Sequence, residues 1–201
     1  MRVGVLASGT GSNLQALIDG VHGRDGIELV AVGSDRPEAP ALERARRAGI
    51  EVGVFPRSEY ADRDARDAAL VTWLRERGVG LVVLAGYTQL VSGEFLDAFP
   101  EQVINVHPAL LPAFPGLHVV QAGLDYGVKV FGVTVHFVDS GVDTGPVIFQ
   151  RAVELPDART VDEVLDVLHP IEHELLVTAV RLFAAGRLRF DPANPRRVLA
   201  R

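Results

Sequence analysis

Cysteine is absent from this chain of 201 residues, which excludes a disulfide framework, a thiolate metal site and a cysteine nucleophile. Lysine is almost absent too. Lys129 stands alone in a chain rich in arginine, alanine and valine, a bias of composition that carries no functional weight. No apolar run approaches the roughly 20 residues of a bilayer-spanning helix, and no charged leader with a cleavage signature precedes the strand pattern that starts at Arg2. The expected location is therefore cytoplasmic, without membrane contact. A net charge of −6 suits a polyanion poorly, so no nucleic-acid partner is expected. Repeats, low-complexity stretches and linkers are also missing. One α/β domain is the default at this length, with residues enough to bury a full core.

Short β-branched runs alternate with amphipathic stretches. The runs at 3–7, 27–32, 52–55, 81–85 and 103–106 are brief, nearly continuous in apolar residues and separated by helical patterns, as buried parallel strands in right-handed βαβ units are. Runs at 130–138 and 146–155 are longer and close together, so they predict an antiparallel pair joined by a functional loop. In the segment 60–77, Ala65, Ala69, Leu70, Trp73 and Leu74 recur at three- and four-residue spacing, which predicts a helix with one face on the sheet, ended by Gly78. Thr160-Val161-Asp162-Glu163 has the pattern of a capping box, opening a long helix that stops at Gly186. Pro170 interrupts that helix and is expected to kink it, turning His169 and Glu172 in a direction a straight helix could not give them. The fold class is thus an open, mostly parallel twisted sheet flanked by helices, with an antiparallel C-terminal strand pair. Residues 191–201 read as a loose tail.

Three motifs carry chemistry. In Ser8-Gly9-Thr10-Gly11-Ser12-Asn13, which follows the first strand and opens a helix, Gly9 and Gly11 permit a tight turn, and the N–H groups of Gly11, Ser12 and Asn13 form an anion cradle. A dinucleotide fingerprint would need a glycine where Leu14 stands and an acid near Asp35, and the lysine of a Walker loop is missing. The plainer alternative is a glycine turn without a ligand. Asn105-Val106-His107-Pro108 ends one strand, and Asp143 lies in Asp139-Ser140-Gly141-Val142-Asp143-Thr144-Gly145-Pro146 between two others. An amide donor, an imidazole and a carboxylate are the parts that carbonyl-transfer chemistry needs. Ligands of open α/β sheets bind outside the carboxyl ends of the strands, where Asn105, His107, the Gly86-Tyr87 turn and residues 8–13 all fall, so these are expected to converge on one crevice. Pro108, Pro112 and Pro115 stiffen the chain beyond His107. His22, His118 and His173 read as structural; His136, inside a strand, is either a core histidine or a partner of the catalytic set.

On these residues the chain resembles the phosphoribosylglycinamide formyltransferase family of folate-dependent enzymes. The motifs are Ser8-Gly-Thr-Gly-Ser-Asn-Leu14, Val82-Val-Leu-Ala-Gly-Tyr87, Ile104-Asn-Val-His-Pro-Ala-Leu-Leu-Pro112 with Pro115-Gly116, Val133-Thr-Val-His-Phe137 and Asp143-Thr-Gly-Pro-Val147, and the match runs from Arg2 to about Leu188. The resemblance implies a single Rossmann-like formyltransferase domain over 1–201, with a phosphate- and ribonucleotide-binding half at 1–100 and a catalytic and folate-binding half at 101–190. It implies 10-formyltetrahydrofolate as co-substrate and glycinamide ribonucleotide as acceptor, no metal, and a monomer or homodimer. Asn105, His107 and Asp143 would be catalytic, with Asp143 keeping His107 charged. Gly11, Ser12, Asn13, His169 and Glu172 would hold the ribonucleotide. Arg63, Thr88, Gln89, Leu90, Val91, Asn105, Asp139, Ser140, Gly141, Val142 and Asp143 would surround the folate. Two places depart from the family pattern: Thr88-Gln89, where Met-Arg is common, and Pro170. Other formyl-folate enzymes share the Asn-x-His-Pro core. Formyltetrahydrofolate deformylase, in which water replaces the amine, is one alternative, and a silent phosphoribosyl-ligand sensor is another.

Overall fold

The computed structural model describes residues 1–200, in two compact units, Met1–Asn105 and Val106–Arg201. The first unit opens with β1 (Arg2–Leu6), α1 (Ser12–Val21), β2 (Glu28–Ser34), α2 (Pro40–Arg47) and β3 (Glu51–Val54). A 3-10 turn (Arg57–Glu59), α3 (Arg63–Glu76), β4 (Leu81–Leu84), α4 (Gly93–Ala98) and β5 (Val103–His107) follow, the last crossing the division between the units. All neighbouring pairs here are parallel, in the order β3-β2-β1-β4-β5. Val3, Val5, Leu6, Leu81, Val82, Val83 and Ile104 are fully buried, which is why these strands read as unbroken apolar runs rather than alternations. Register aligns Leu6 with Leu84 and Leu84 with Asn105, so β1, β4 and β5 end along one edge.

Glycines let α3 approach the sheet closely. A methyl group added at Gly4 would stand 2.8 Å from Leu74, and one at Gly53 would stand 2.8 Å from the Trp73 ring; Trp73 also meets Phe55 edge-on at 5.4 Å. The helix starts at Arg63 rather than at 60, because the Asp62 side chain accepts the Ala65 N–H at 2.8 Å and caps it there.

The second unit contains α5 (Val119–Tyr126), β6 (Val130–Phe137), β7 (Val147–Glu154), α6 (Val161–Ala184), β8 (Leu188–Asp191) and β9 (Asn194–Ala200). Strands β6 and β7 pair antiparallel as expected, from Val130–Glu154 to His136–Val147. Helix α6 packs on both and begins with the capping box, Thr160 and Glu163 each accepting from the other's backbone N–H. It continues through Pro170 to Ala184. Residues 191–200 correct the expectation of a loose tail, and Arg201 lies outside the described residues. β8 and β9 form an antiparallel hairpin, and β9 adds to β7 at Val147–Arg197. The pairing has a physical cause. Leu188 and Phe190 alternate with polar residues, the Phe190 ring packs 5.0 Å from Phe137, and the Asp191 side chain accepts the Ala193 N–H at 2.9 Å to shape the turn. Among the described residues no helix is long and apolar enough to cross a membrane.

Candidate active site

The glycine loop between β1 and α1 is held on both sides. Gly11 has φ 76°, a left-handed conformation that favours glycine, and a Cβ there would lie 2.8 Å from the Ala41 backbone. The Ala41 N–H donates to Gly9 O at 3.3 Å and Arg44 Nε donates to Thr10 O at 2.8 Å, so α2 fixes the loop from outside. Gln15 N donates to Gly11 O at 2.9 Å, closing the first turn of α1. The result is a preformed helix start with its amide dipole aimed past Gly11, the arrangement that binds anions.

A polar network joins this loop to the ends of β2 and β4. Ser8 Oγ donates to Asp35 Oδ1 at 2.5 Å and accepts the Thr88 N–H at 3.0 Å; Gln89 Nε2 donates to Asp35 Oδ2 at 2.9 Å. Both oxygens of Asp35 are therefore engaged within the protein, which removes the acid that a dinucleotide-binding reading would have used on a ribose. Behind Gln89 lies a pair that the helical stripe did not reveal. Arg66 and Asp67 are buried, 2% and 0% exposed, and joined by bonds of 2.7 and 2.8 Å. Both lie three to four residues before Leu70, where the stripe runs toward the start of α3, and that spacing was the available signal. Burial pushes the Tyr87 hydroxyl above its ordinary value; the Arg66 charge opposes this, while those of Asp35 and Asp67 add to it.

In the second unit, His107 is 4% exposed. Its Nδ1 lies 3.5 Å from Asp143 Oδ2, and its Nε2 donates to Phe114 O at 2.8 Å. A carbonyl oxygen only accepts, so the ring nitrogen that meets Phe114 O is the one that carries an N–H. Asp143 has a second imidazole on its other oxygen, His136 Nε2 at 3.6 Å, and its Oδ2 accepts the Gly116 N–H at 2.8 Å. His136 is thus a partner of the Asp143 carboxylate and not merely a core residue. Burial by itself would push the Asp143 carboxyl up, but His136, the Gly116 N–H and the neighbouring His107 outweigh it and hold the group below the ordinary carboxylate value.

The loop carrying Asp143 is tightly built. Asp139 Oδ1 accepts from Gly141 N at 3.1 Å and from Thr144 Oγ1 at 2.6 Å. A Cβ at Gly145 would overlap the Phe137 carbonyl oxygen at 1.8 Å, and Asp143 itself has φ 52°. The C-terminal hairpin reaches this loop, since Arg196 Nη2 donates to Thr144 O at 2.6 Å. The left-handed conformation at Asp143 is thus flanked by the Asp139 bonds and by the close approach of Gly145 to Phe137.

The expected residues fall as follows. Gly11, Ser12, Asn13, Thr88, Gln89, Leu90, Val91 and Asn105 belong to the first unit, all past or near the carboxyl ends of its parallel strands. Asn105 and His107 are two apart on β5, where alternation puts both on one face. Arg63, at the start of α3, is exposed, its Nε 3.7 Å from Asp64. In the second unit Ser140, Gly141 and Val142 are exposed, while Asp139 is turned inward on its own loop. Glu172 is buried on α6; His169 lies one turn from His173, their rings stacked at 6.2 Å. Burial, with His169 adding, holds the His173 imidazole below its ordinary value of 6.5.

Against known proteins, the family described as formyl transferase matches residues 1–180. The chain belongs to the formyl transferase family. A phosphoribosylglycinamide formyltransferase of Mycobacterium tuberculosis is 43% identical over 183 residues, which are 91% of this chain and 85% of that protein. The trifunctional purine biosynthetic protein adenosine-3 of Drosophila melanogaster is 40% identical over 95% of this chain, but this formyl transferase spans only 14% of the length of that relative. Among solved structures, glycinamide ribonucleotide transformylase 1 from Symbiobacterium toebii superposes with a TM-score of 0.94 at 48% identity, covering 100% of this chain and 93% of that one. The family resemblance read from the motifs and the mostly parallel sheet with its antiparallel strand pair both stand.

Proposed function

We propose that the chain transfers the formyl group of 10-formyltetrahydrofolate to the amino group of phosphoribosylglycinamide, a step of purine synthesis. The observation that carries the reading is the Asp143 carboxylate at 3.5 Å from His107, two residues along β5 from the Asn105 amide. In the reaction the amine nitrogen attacks the formyl carbon, the carbonyl pair moves onto oxygen, and collapse breaks the bond to the folate nitrogen. The amine loses one proton and the folate nitrogen gains one. Asn105 donates a hydrogen bond to the developing oxyanion, and His107 donates its N–H to the reacting centre, which requires Phe114 O to give up Nε2. Asp143 keeps the imidazole oriented, with His136 and Gly116 orienting Asp143 in turn.

The glycine loop at Gly11, Ser12 and Asn13 suits the ribose phosphate, and His169 and Glu172 suit the ribose or the amine. For the folate, the reading uses Arg63, the segment of Thr88, Gln89, Leu90 and Val91, and the loop of Asp139, Ser140, Gly141, Val142 and Asp143. A pterin edge is a row of donors and acceptors that backbone groups at strand ends can match. A spectroscopic assay of folate product with and without the ribonucleotide tests the reading. Product formed only with the ribonucleotide is expected; formate release in its absence would identify a deformylase instead.

A further inference from the structure

We propose that Arg66 and Asp67 are positioning residues for the folate co-substrate, acting as a buried charged strut that sets the backbone of the loop 88–92. The inference rests on the formyl-folate reading. The pair touches that loop at three points. Arg66 Nη1 donates to Gln89 Oε1 at 3.3 Å, Arg66 Nη2 donates to Leu90 O at 3.0 Å, and Asp67 Oδ2 accepts the Ser92 N–H at 2.6 Å. The other end of the loop is tied through Thr88 N–H on Ser8 Oγ and Gln89 Nε2 on Asp35. A buried ion pair adds little stability over apolar residues of the same volume, so its presence points to a requirement for one geometry. The geometry it holds is itself telling: above a fully buried base, the Leu90 side chain is kept 56% exposed, an apolar group presented outward on a clamped backbone.

Arg66→Met alone would leave Asp67 buried and uncompensated, so the working variant is Arg66→Met with Asp67→Asn, which removes both charges and keeps the volume. This double variant is expected to fold, and to raise the KM for formyl-folate about tenfold with kcat and the ribonucleotide KM changed less than about twofold. Amides 88–92 should exchange hydrogen faster in it without any ligand. In Arg66→Met with Gln89→Arg a guanidinium is supplied from the residue whose Oε1 stands 3.3 Å from Arg66 Nη1, and it should recover the folate KM to within about threefold of the starting protein. The proposal is overturned if the neutral pair leaves the folate KM unchanged, if both substrates weaken equally, or if relocation of the charge rescues nothing. Should the unaltered protein transfer no formyl group, the proposed function fails separately. Hydrogen exchange then decides the strut, and unchanged protection at 88–92 overturns it.

Discussion

Asp143 Oδ2 faces Nδ1 of His107 at 3.5 Å and accepts the Gly116 N–H at 2.8 Å with the same oxygen. The carboxylate therefore faces the imidazole and anchors the chain that follows β5. Its own position is set by a tightly built loop, with φ 52° at Asp143 and a Gly145 whose Cβ would stand 1.8 Å from Phe137 O.

Asn105→Ala and His107→Ala should each lower kcat by about 10²–10³-fold, since one preorganised donor to an oxyanion contributes roughly 3–4 kcal/mol. Ribonucleotide binding, measured by titration calorimetry, should survive in both. Near-normal turnover in either variant would remove that residue from the chemistry.

Asp143→Asn tests the carboxylate by pH. The folded-state value lies below the ordinary 3.8, so the ionised group contributes stability above that value, and the contribution is lost as pH falls through the folded value. Thermal denaturation should find the starting protein more stable than Asp143→Asn at about pH 7, with the gap closing below about pH 4. A gap that stays constant under acid would mean that the carboxylate charge is not what the fold uses.

His173 should make the protein acid-sensitive in a different window. Its folded value is depressed below 6.5 and its Nε2 is buried without a hydrogen-bond partner, so the fold favours the neutral ring. That stability is complete above 6.5 and is lost as pH falls through the folded value. His173→Leu should flatten the dependence of Tm on pH between about 7 and 5, while the unaltered protein loses Tm there. Parallel curves for the two proteins would sink the idea.

Gln89→Ala removes one bond to Asp35 and one to Arg66 but spares the backbone contacts at Thr88, Leu90 and Ser92. The folate KM should rise by less than about tenfold. Gln89→Pro should be far worse, because the ring restricts Thr88 and locks φ at position 89. Equal and small losses in both would place this loop outside the folate site.

Much of the molecule was legible from local pattern. Parallel strands buried on both faces must be apolar throughout, so β1 and β4 announce themselves; the capping box at Thr160 and the positive-φ turn at Gly11 are settled by a few neighbouring residues. The residue types of Asn105 and His107 on β5 and of Asp143 in the loop between β6 and β7 are likewise what the proposed chemistry was read from. Tertiary structure alone decided which polar groups answer one another. Asp35 is engaged by Ser8 and Gln89, 27 and 54 positions away, and Ser8 by Thr88 at a separation of 80. Arg66 and Asp67 look like ordinary surface residues until the packing of α3 buries them beneath a loop more than 20 positions on, and the final hairpin looks like a polar tail until Phe190 finds Phe137. Periodicity and turn chemistry are properties of adjacent residues, and a sequence displays them directly. The pairing of buried charges depends on which distant segments the sheet brings side by side, and only the folded chain specifies that.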